Sequence, residues 1–164
     1  MNRAVPSTRE ILALRALGRP IDERWVDWAV SMLQAGHDTP HLAILAGEMP
    51  PFNYFETVPI VDKALEELGY DWSDKKSAIK GYIAELLERM LQHEMTSDDA
   101  LHLLRDLCIE LHYAPFLMDF YRLYYAQRDL RTSEIQWYWP DATRHNIERA
   151  IREYAAQWIQ KNKR

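Results

Sequence analysis

Helix start and stop signals recur along almost the whole chain, and no segment sustains the apolar–polar alternation of a half-buried strand. Ser7 and Glu10 have the spacing of a capping box, and Gly18 follows, so a first helix is predicted from Thr8 to Leu17. Asp22 caps a second, which places Trp25, Trp28, Ala29, Met32 and Leu33 on one face and stops at Gly36. Thr39-Pro40 opens a short helix, His41 to Ala46, that ends at Gly47. Asn53 and Glu56 offer another capping box. With Pro59 downstream, the helix either starts at Asn53 and kinks or is capped at Thr57; both choices leave Val61, Leu65 and Leu68 on a stripe that ends at Gly69.

Ser73 is the expected cap of a long helix carrying Ile79, Ile83, Leu86, Leu87 and Met90. Thr96 and Asp99 start another, with Ala100, Leu104, Leu107, Cys108 and Leu111 on its apolar face. Pro115 opens a helix bearing Phe116, Phe120, Tyr121 and Tyr124, followed by a polar turn from Arg128 to Glu134. Asp141 or Thr143 caps the last helix, where Ile147, Ile151, Tyr154 and Trp158 align.

These readings predict an all-α, single-domain bundle or stacked array of about seven to eight amphipathic helices over residues 1–164. Residues 1–6 are expected to form a flexible arm and 160–164 a frayed end. A chain of 164 residues buries roughly 70% of its unfolded surface and needs neither metal nor disulfide to hold together. Cys108, the single cysteine, excludes an internal disulfide, and the start of the chain lacks an apolar leader, so a cytoplasmic protein is expected. No apolar run approaches the ~20 residues that span a bilayer.

Candidate chemistry is sparse. His37 and His41 have the spacing of a zinc pair, but Thr39-Pro40 lies between them, and no metal is expected. Cys108 and His112, four apart on one predicted helix, offer a nucleophile and a base, although Cys108 falls on the apolar stripe. His102 and Asp106 form a second such pair, on the side away from Leu104. There is no phosphate-cradling glycine loop, no Walker lysine and no nucleophile elbow, and neither cofactor nor catalytic residue is assigned. The pairs Glu66-Glu67 and Asp98-Asp99 diverge by about 100° on a helix and do not converge on a substrate.

Two features point to a surface function. Between Glu48 and Asp74 lie seven acids and one base, a net charge of −6 in a chain whose total is −5. Such a window steers a basic partner, and Asp62, Glu66 and Glu67 are its expected electrostatic face. The second feature is Trp137-Tyr138-Trp139, three large rings in a non-helical segment. Read as a plug, Trp137 and Trp139 insert between helices with Tyr138 outside; read as an anchor, the segment meets a partner. Six bases against two acids from Arg144 to the end form a weaker positive stripe, though an acidic chain is not built around nucleic acid.

The segments Pro51-Phe52-Asn53-Tyr54-Phe55-Glu56, Leu65-Glu66-Glu67-Leu68-Gly69 and Gln136-Trp137-Tyr138-Trp139 resemble pieces of small all-helical bacterial proteins of the toxin-immunity kind. The resemblance carries no catalytic signature. It implies a cytosolic binding protein. Joined to the acidic window and the aromatic segment, it gives as the expectation a non-catalytic protein-interaction module that neutralises a basic toxin by direct binding, with Asp62, Glu66, Glu67, Trp137, Tyr138 and Trp139, read from those two features, as the contact residues. The alternatives are a small helical enzyme and a nucleic-acid adaptor. Exposed aromatic faces also suit a homodimer.

Overall fold

A computed structural model describes residues 5–162 and is all-helical, with no strand among the described residues. The elements are α1 (Thr8–Ala16), α2 (Glu23–Gln34), α3 (Pro40–Ala46), α4 (Tyr54–Glu67), α5 (Lys75–Leu91), α6 (Ser97–Glu110), a 3-10 turn (Pro115–Leu117), α7 (Met118–Thr132) and α8 (Ile147–Lys161). Of the two predicted loose ends, residues 1–4 and 163–164 lie outside the described residues, and α8 continues through Lys161. No described helix is long and apolar enough to cross a membrane. The chain divides into two compact units at Glu85 and Leu86, a boundary that falls inside α5.

In the first unit α2 packs on α1 and α3, and α3 packs on α4. Ile11, Leu14, Trp25, Trp28, Met32, Leu42, Leu45, Val61 and Leu65 form its core. The helical period marked Trp25, Trp28, Met32, Val61 and Leu65 among them, but two buried indoles also need acceptors for their N–H groups. Trp25 Nε1 donates to the Pro20 carbonyl at 3.2 Å, and Trp28 Nε1 to Thr8 Oγ1 at 2.9 Å. α4 starts at Tyr54 with Asn53 as its cap, accepting from the Glu56 N–H at 3.1 Å, so Pro59 lies inside the helix. The proline has no N–H to donate to the Phe55 carbonyl one turn earlier, and Phe55 is an exposed residue.

In the second unit α6 packs on α7, and α7 on α8. Leu104, Leu107, Cys108, Leu117, Phe120, Leu123, Ile151 and Trp158 are buried there. Several predicted boundaries shift. The cap of α5 is Asp74, which accepts from the Ser77 N–H and hydroxyl, while the Ser73 N–H donates to Asp71. α7 runs on to Thr132, so Arg128 to Thr132 are helical. α8 begins after Asn146, whose Oδ1 accepts from the Thr143 N–H at 2.7 Å, and Asp141 and Thr143 belong to the loop before it. Ser7 makes no side-chain capping bond to α1.

The helix ends explain one difference between the units. Gly36 (φ 100°) and Gly69 (φ 81°) close α2 and α4 in the left-handed conformation that glycine adopts freely. In the second unit the same turn is made by histidines. His93 (φ 61°) donates its N–H to the Met90 carbonyl, and Glu94 to that of Arg89. His112 (φ 56°) donates to Ile109, and Tyr113 (φ 58°) to Cys108 at 2.8 Å. Both sets form the paired bonds of a Schellman end, at a backbone cost of roughly 1–2 kcal/mol for each side chain held there.

Candidate functional site

The six residues singled out from sequence fall in two places. Asp62, Glu66 and Glu67 lie on α4 in the first unit; Trp137, Tyr138 and Trp139 lie between α7 and α8 in the second.

The acids are mostly committed within their own unit. Asp62 accepts from Arg15 Nε at 2.6 Å and Nη2 at 3.1 Å, a two-point pair that ties α1 to α4. Arg15 also lies 5.7 Å from the centre of the Trp72 ring. Glu67 accepts from the His41 N–H at 3.1 Å and meets its Nδ1 at 2.6 Å, which places a carboxylate at the N-terminus of α3. The bond from His41 holds the Glu67 carboxyl below its usual range. Glu66 reaches Lys63 at 3.6 Å in an exposed pair. Asp71 and Asp74 serve backbone N–H groups. Five of the seven acids in the window (Asp62, Glu66, Glu67, Asp71, Asp74) therefore have local partners, whereas the side chains of Glu48 and Glu56 have none among the described residues.

The aromatic segment is not a plug for Trp137 and Trp139 together. Trp139 is half-buried, 5.3 Å from the Tyr154 ring, but Trp137 is 89% exposed. Tyr138 lies outside as expected, 39% exposed, and stacks on Tyr125 at 5.6 Å. In an extended chain residues 137 and 139 would share a face, but the backbone bends through these residues, with the Tyr138 and Trp139 N–H groups both turned to Gln136, so Trp139 packs inward while Trp137 does not.

The segment is nevertheless fixed. Gln136 Oε1 accepts from the N–H groups of Tyr138 at 2.8 Å and Trp139 at 2.7 Å. Its Nε2 donates to the carbonyls of Trp139 and Ala142. Asn146 Nδ2 donates to the Asp141 carbonyl at 3.0 Å, and Arg144 Nε donates to the Leu130 carbonyl at 2.7 Å. Tyr154, which backs Trp139, donates its hydroxyl to Asp119 at 2.9 Å, and burial together with that bond raises its pKa strongly.

Tyr138 also ends a ladder that periodicity did not reveal. Tyr113, Tyr121, Tyr125 and Tyr138 follow one another at centroid spacings of 5.7, 4.8 and 5.6 Å. Tyr121 and Tyr125 are one turn apart on α7, but Tyr113 and Tyr138 come from loops, so only the tertiary structure aligns the four. Arg105 lies 4.6 Å from the Tyr124 ring centre and donates to the Tyr125 hydroxyl at 3.3 Å. A half-exposed tyrosine strip that ends next to an exposed tryptophan in sequence offers ring surface for burial with hydroxyls at its edge.

Of the two candidate catalytic pairs, one departs from the expected placement and the other keeps it. α6 ends at Glu110, and His112 lies in the left-handed turn beyond it, so Cys108 and His112 do not share a helix. The Cys108 thiol is buried 3.6 Å from Met118 Sδ, and burial raises its pKa. His102 Nε2 is 3.2 Å from Asp106 on an exposed face, and Asp106 is shared with Arg105. No group of three or more His, Cys, Asp or Glu that could hold a metal occurs among the described residues; His41 is turned to Glu67.

An open groove of about 530 Å3 is lined by His93, Thr96, Ser97, Glu148 and Arg152, among others. Ser97 Oγ donates to Glu148 at 2.7 Å and accepts from Gln127 Nε2 at 2.9 Å. Arg152 donates to the Met90 carbonyl at 3.2 Å, and its Nη2 lies 3.2 Å from His93 Nδ1. A guanidinium has no lone pair to offer, so His93 Nδ1 is the acceptor. The serine proton thus points to a carboxylate and the imidazole to an arginine, a network that caps the end of α5 and in which the serine and the imidazole have different partners.

Part of the basic C-terminal stripe is engaged within its own unit, although Arg144, Arg149 and Lys161 are exposed. Arg144 and Arg152 hold backbone carbonyls, Arg149 lies 3.7 Å from Glu153, and Lys163 and Arg164 lie outside the described residues. Comparison with protein-family models, curated proteins and solved structures gave no match.

Proposed function

We propose that this chain is a non-catalytic protein-interaction module of the immunity type, which neutralises a toxin by covering it, with Trp137 as its anchor. The observation that carries the reading is the pairing of 89% exposure at Trp137 with a loop held by four bonds from Gln136. A large ring displayed on a pre-ordered loop binds with little further loss of conformational freedom. Exposed Tyr138 and the tyrosine ladder extend the contact area. The acidic window contributes a long-range field, although Asp62 and Glu67 serve mainly to join helices.

The test is co-expression with the products of the flanking reading frames. One of them is expected to arrest growth alone and to be neutralised by this chain, and Trp137→Ala is expected to lose neutralisation while keeping its melting temperature. If no flanking product is toxic, the immunity reading fails. If Trp137→Ala neutralises fully, the anchor assignment fails.

A further inference from the structure

The tyrosine strip of the second unit has a geometry that narrows what can lie on it. Tyr113 is 52% exposed and Tyr138 39% exposed, and Tyr121 and Tyr125 are half-buried. Both loop rungs are fixed by backbone bonds, Tyr113 through its N–H to the Cys108 carbonyl and Tyr138 through its N–H to Gln136. Neighbouring rings are not parallel: the planes of Tyr113 and Tyr121 cross at 77°, those of Tyr121 and Tyr125 at 56°, and those of Tyr125 and Tyr138 at 33°. Rings tilted in this way leave clefts between the rungs in place of one flat platform. The hydroxyls are neighbours too: desolvation raises the Tyr121 pKa, and the Tyr125, Tyr113 and Tyr138 phenols raise it further, which keeps Tyr121 a donor. The Tyr125 hydroxyl accepts from Arg105 Nη1 at 3.3 Å, so its own hydrogen is free to donate.

We propose that Tyr113, Tyr121, Tyr125 and Tyr138 form a docking surface for a proline-rich segment of a partner protein in the polyproline II conformation. Such a segment repeats every three residues, about 9.3 Å. Neighbouring ring spacings taken together put alternate rungs at most about 10.5 Å apart, so prolines i and i+3 can meet alternate rungs. Polyproline II has no internal hydrogen bonds, and the Tyr121 and Tyr125 hydroxyls supply donors for its carbonyls. Both sides are ordered before they meet, so docking removes little conformational freedom. A nucleic-acid strand is a poorer occupant, because the chain carries a net charge of −5 and Arg105, beside the strip, is paired with Asp106. The proposal deepens the interaction reading and rests on it only in taking the partner to be a protein.

The probe is dye-labelled decaproline, titrated into the full chain and read by fluorescence anisotropy. A Gly/Ser peptide of the same length, which lacks the preformed helix, is the control. Decaproline is expected to bind and the control is not. The joint variant Tyr113→Ala, Tyr138→Ala removes the two exposed rungs and is expected to weaken binding at least ~10-fold while keeping its melting temperature. The joint variant Tyr121→Phe, Tyr125→Phe keeps every ring but removes two donors, and is expected to weaken binding roughly 3–10-fold. The proposal is overturned if decaproline does not bind, if either joint variant binds it as wild type does, or if the Gly/Ser peptide binds equally. Tighter capture of an oligo(dT) strand than of decaproline overturns it as well. The result separates from that of the co-expression test. A chain that neutralises a flanking toxin but ignores decaproline overturns the docking assignment alone. One that binds decaproline but has no toxic neighbour upholds the docking assignment while the immunity reading fails.

Discussion

Replacing Gln136 by alanine removes four hydrogen bonds while touching neither Trp137 nor the Trp139–Tyr154 contact. The groups are half-exposed, so water replaces part of each bond, and the low end of about 0.5 kcal/mol per bond is appropriate. Four such bonds give about 2 kcal/mol, a factor of about 30 in the opening of the loop. Amide hydrogen exchange at Tyr138 and Trp139 reads this directly, since Gln136 Oε1 accepts from both N–H groups. Protection at these two amides is expected to fall about 30-fold, with the buried amides of α7 and α8 little changed. Gln136→Glu sharpens the test. Its carboxylate still accepts from both amides but faces the carbonyls of Trp139 and Ala142, so protection should be partly lost at neutral pH and recover on acidification, when the carboxyl regains a donor. Unchanged exchange at Tyr138 and Trp139 in Gln136→Ala would refute the claim that this side chain organises the loop, and with it the pre-ordering of Trp137.

Other expectations concern stability and reactivity. Thr8→Val keeps the shape of the buried side chain but strips the acceptor from Trp28 Nε1, and should cost about 1–3 kcal/mol in urea unfolding. His112→Gly relieves a left-handed backbone and should raise stability by roughly 1 kcal/mol by the same measurement. Tyr154 has a raised pKa in the folded chain, so above the ordinary tyrosine value the unfolded state releases a proton that the folded state retains. Stability should therefore fall as pH rises beyond about 10, and this loss should be smaller in Tyr154→Phe. Cys108, buried and with its thiol pKa raised, should react with a thiol reagent only after unfolding; rapid labelling of the folded chain would contradict its placement beside Met118.

The helical class, the apolar stripes and most helix starts were legible in the sequence, because caps and a 3.6-residue period act within a few residues of chain. Asp22, Asn53 and Thr96 cap through their own side chains, as their positions require. Helix ends were legible where glycine makes the turn, as at Gly36 and Gly69, and not at His93 and His112, which adopt the same backbone without its signature. Tertiary structure alone decided which groups are spent internally. Asp62 and Glu67 looked like a free acidic face until Arg15 and His41, distant in sequence, were brought against them. It also decided that Trp139 turns inward and Trp137 outward, and that tyrosines from one helix and two loops form a ladder. The reason is range: a cap or a stripe is a property of neighbours along the chain, whereas exposure and ion pairing depend on which distant segment arrives at the same place.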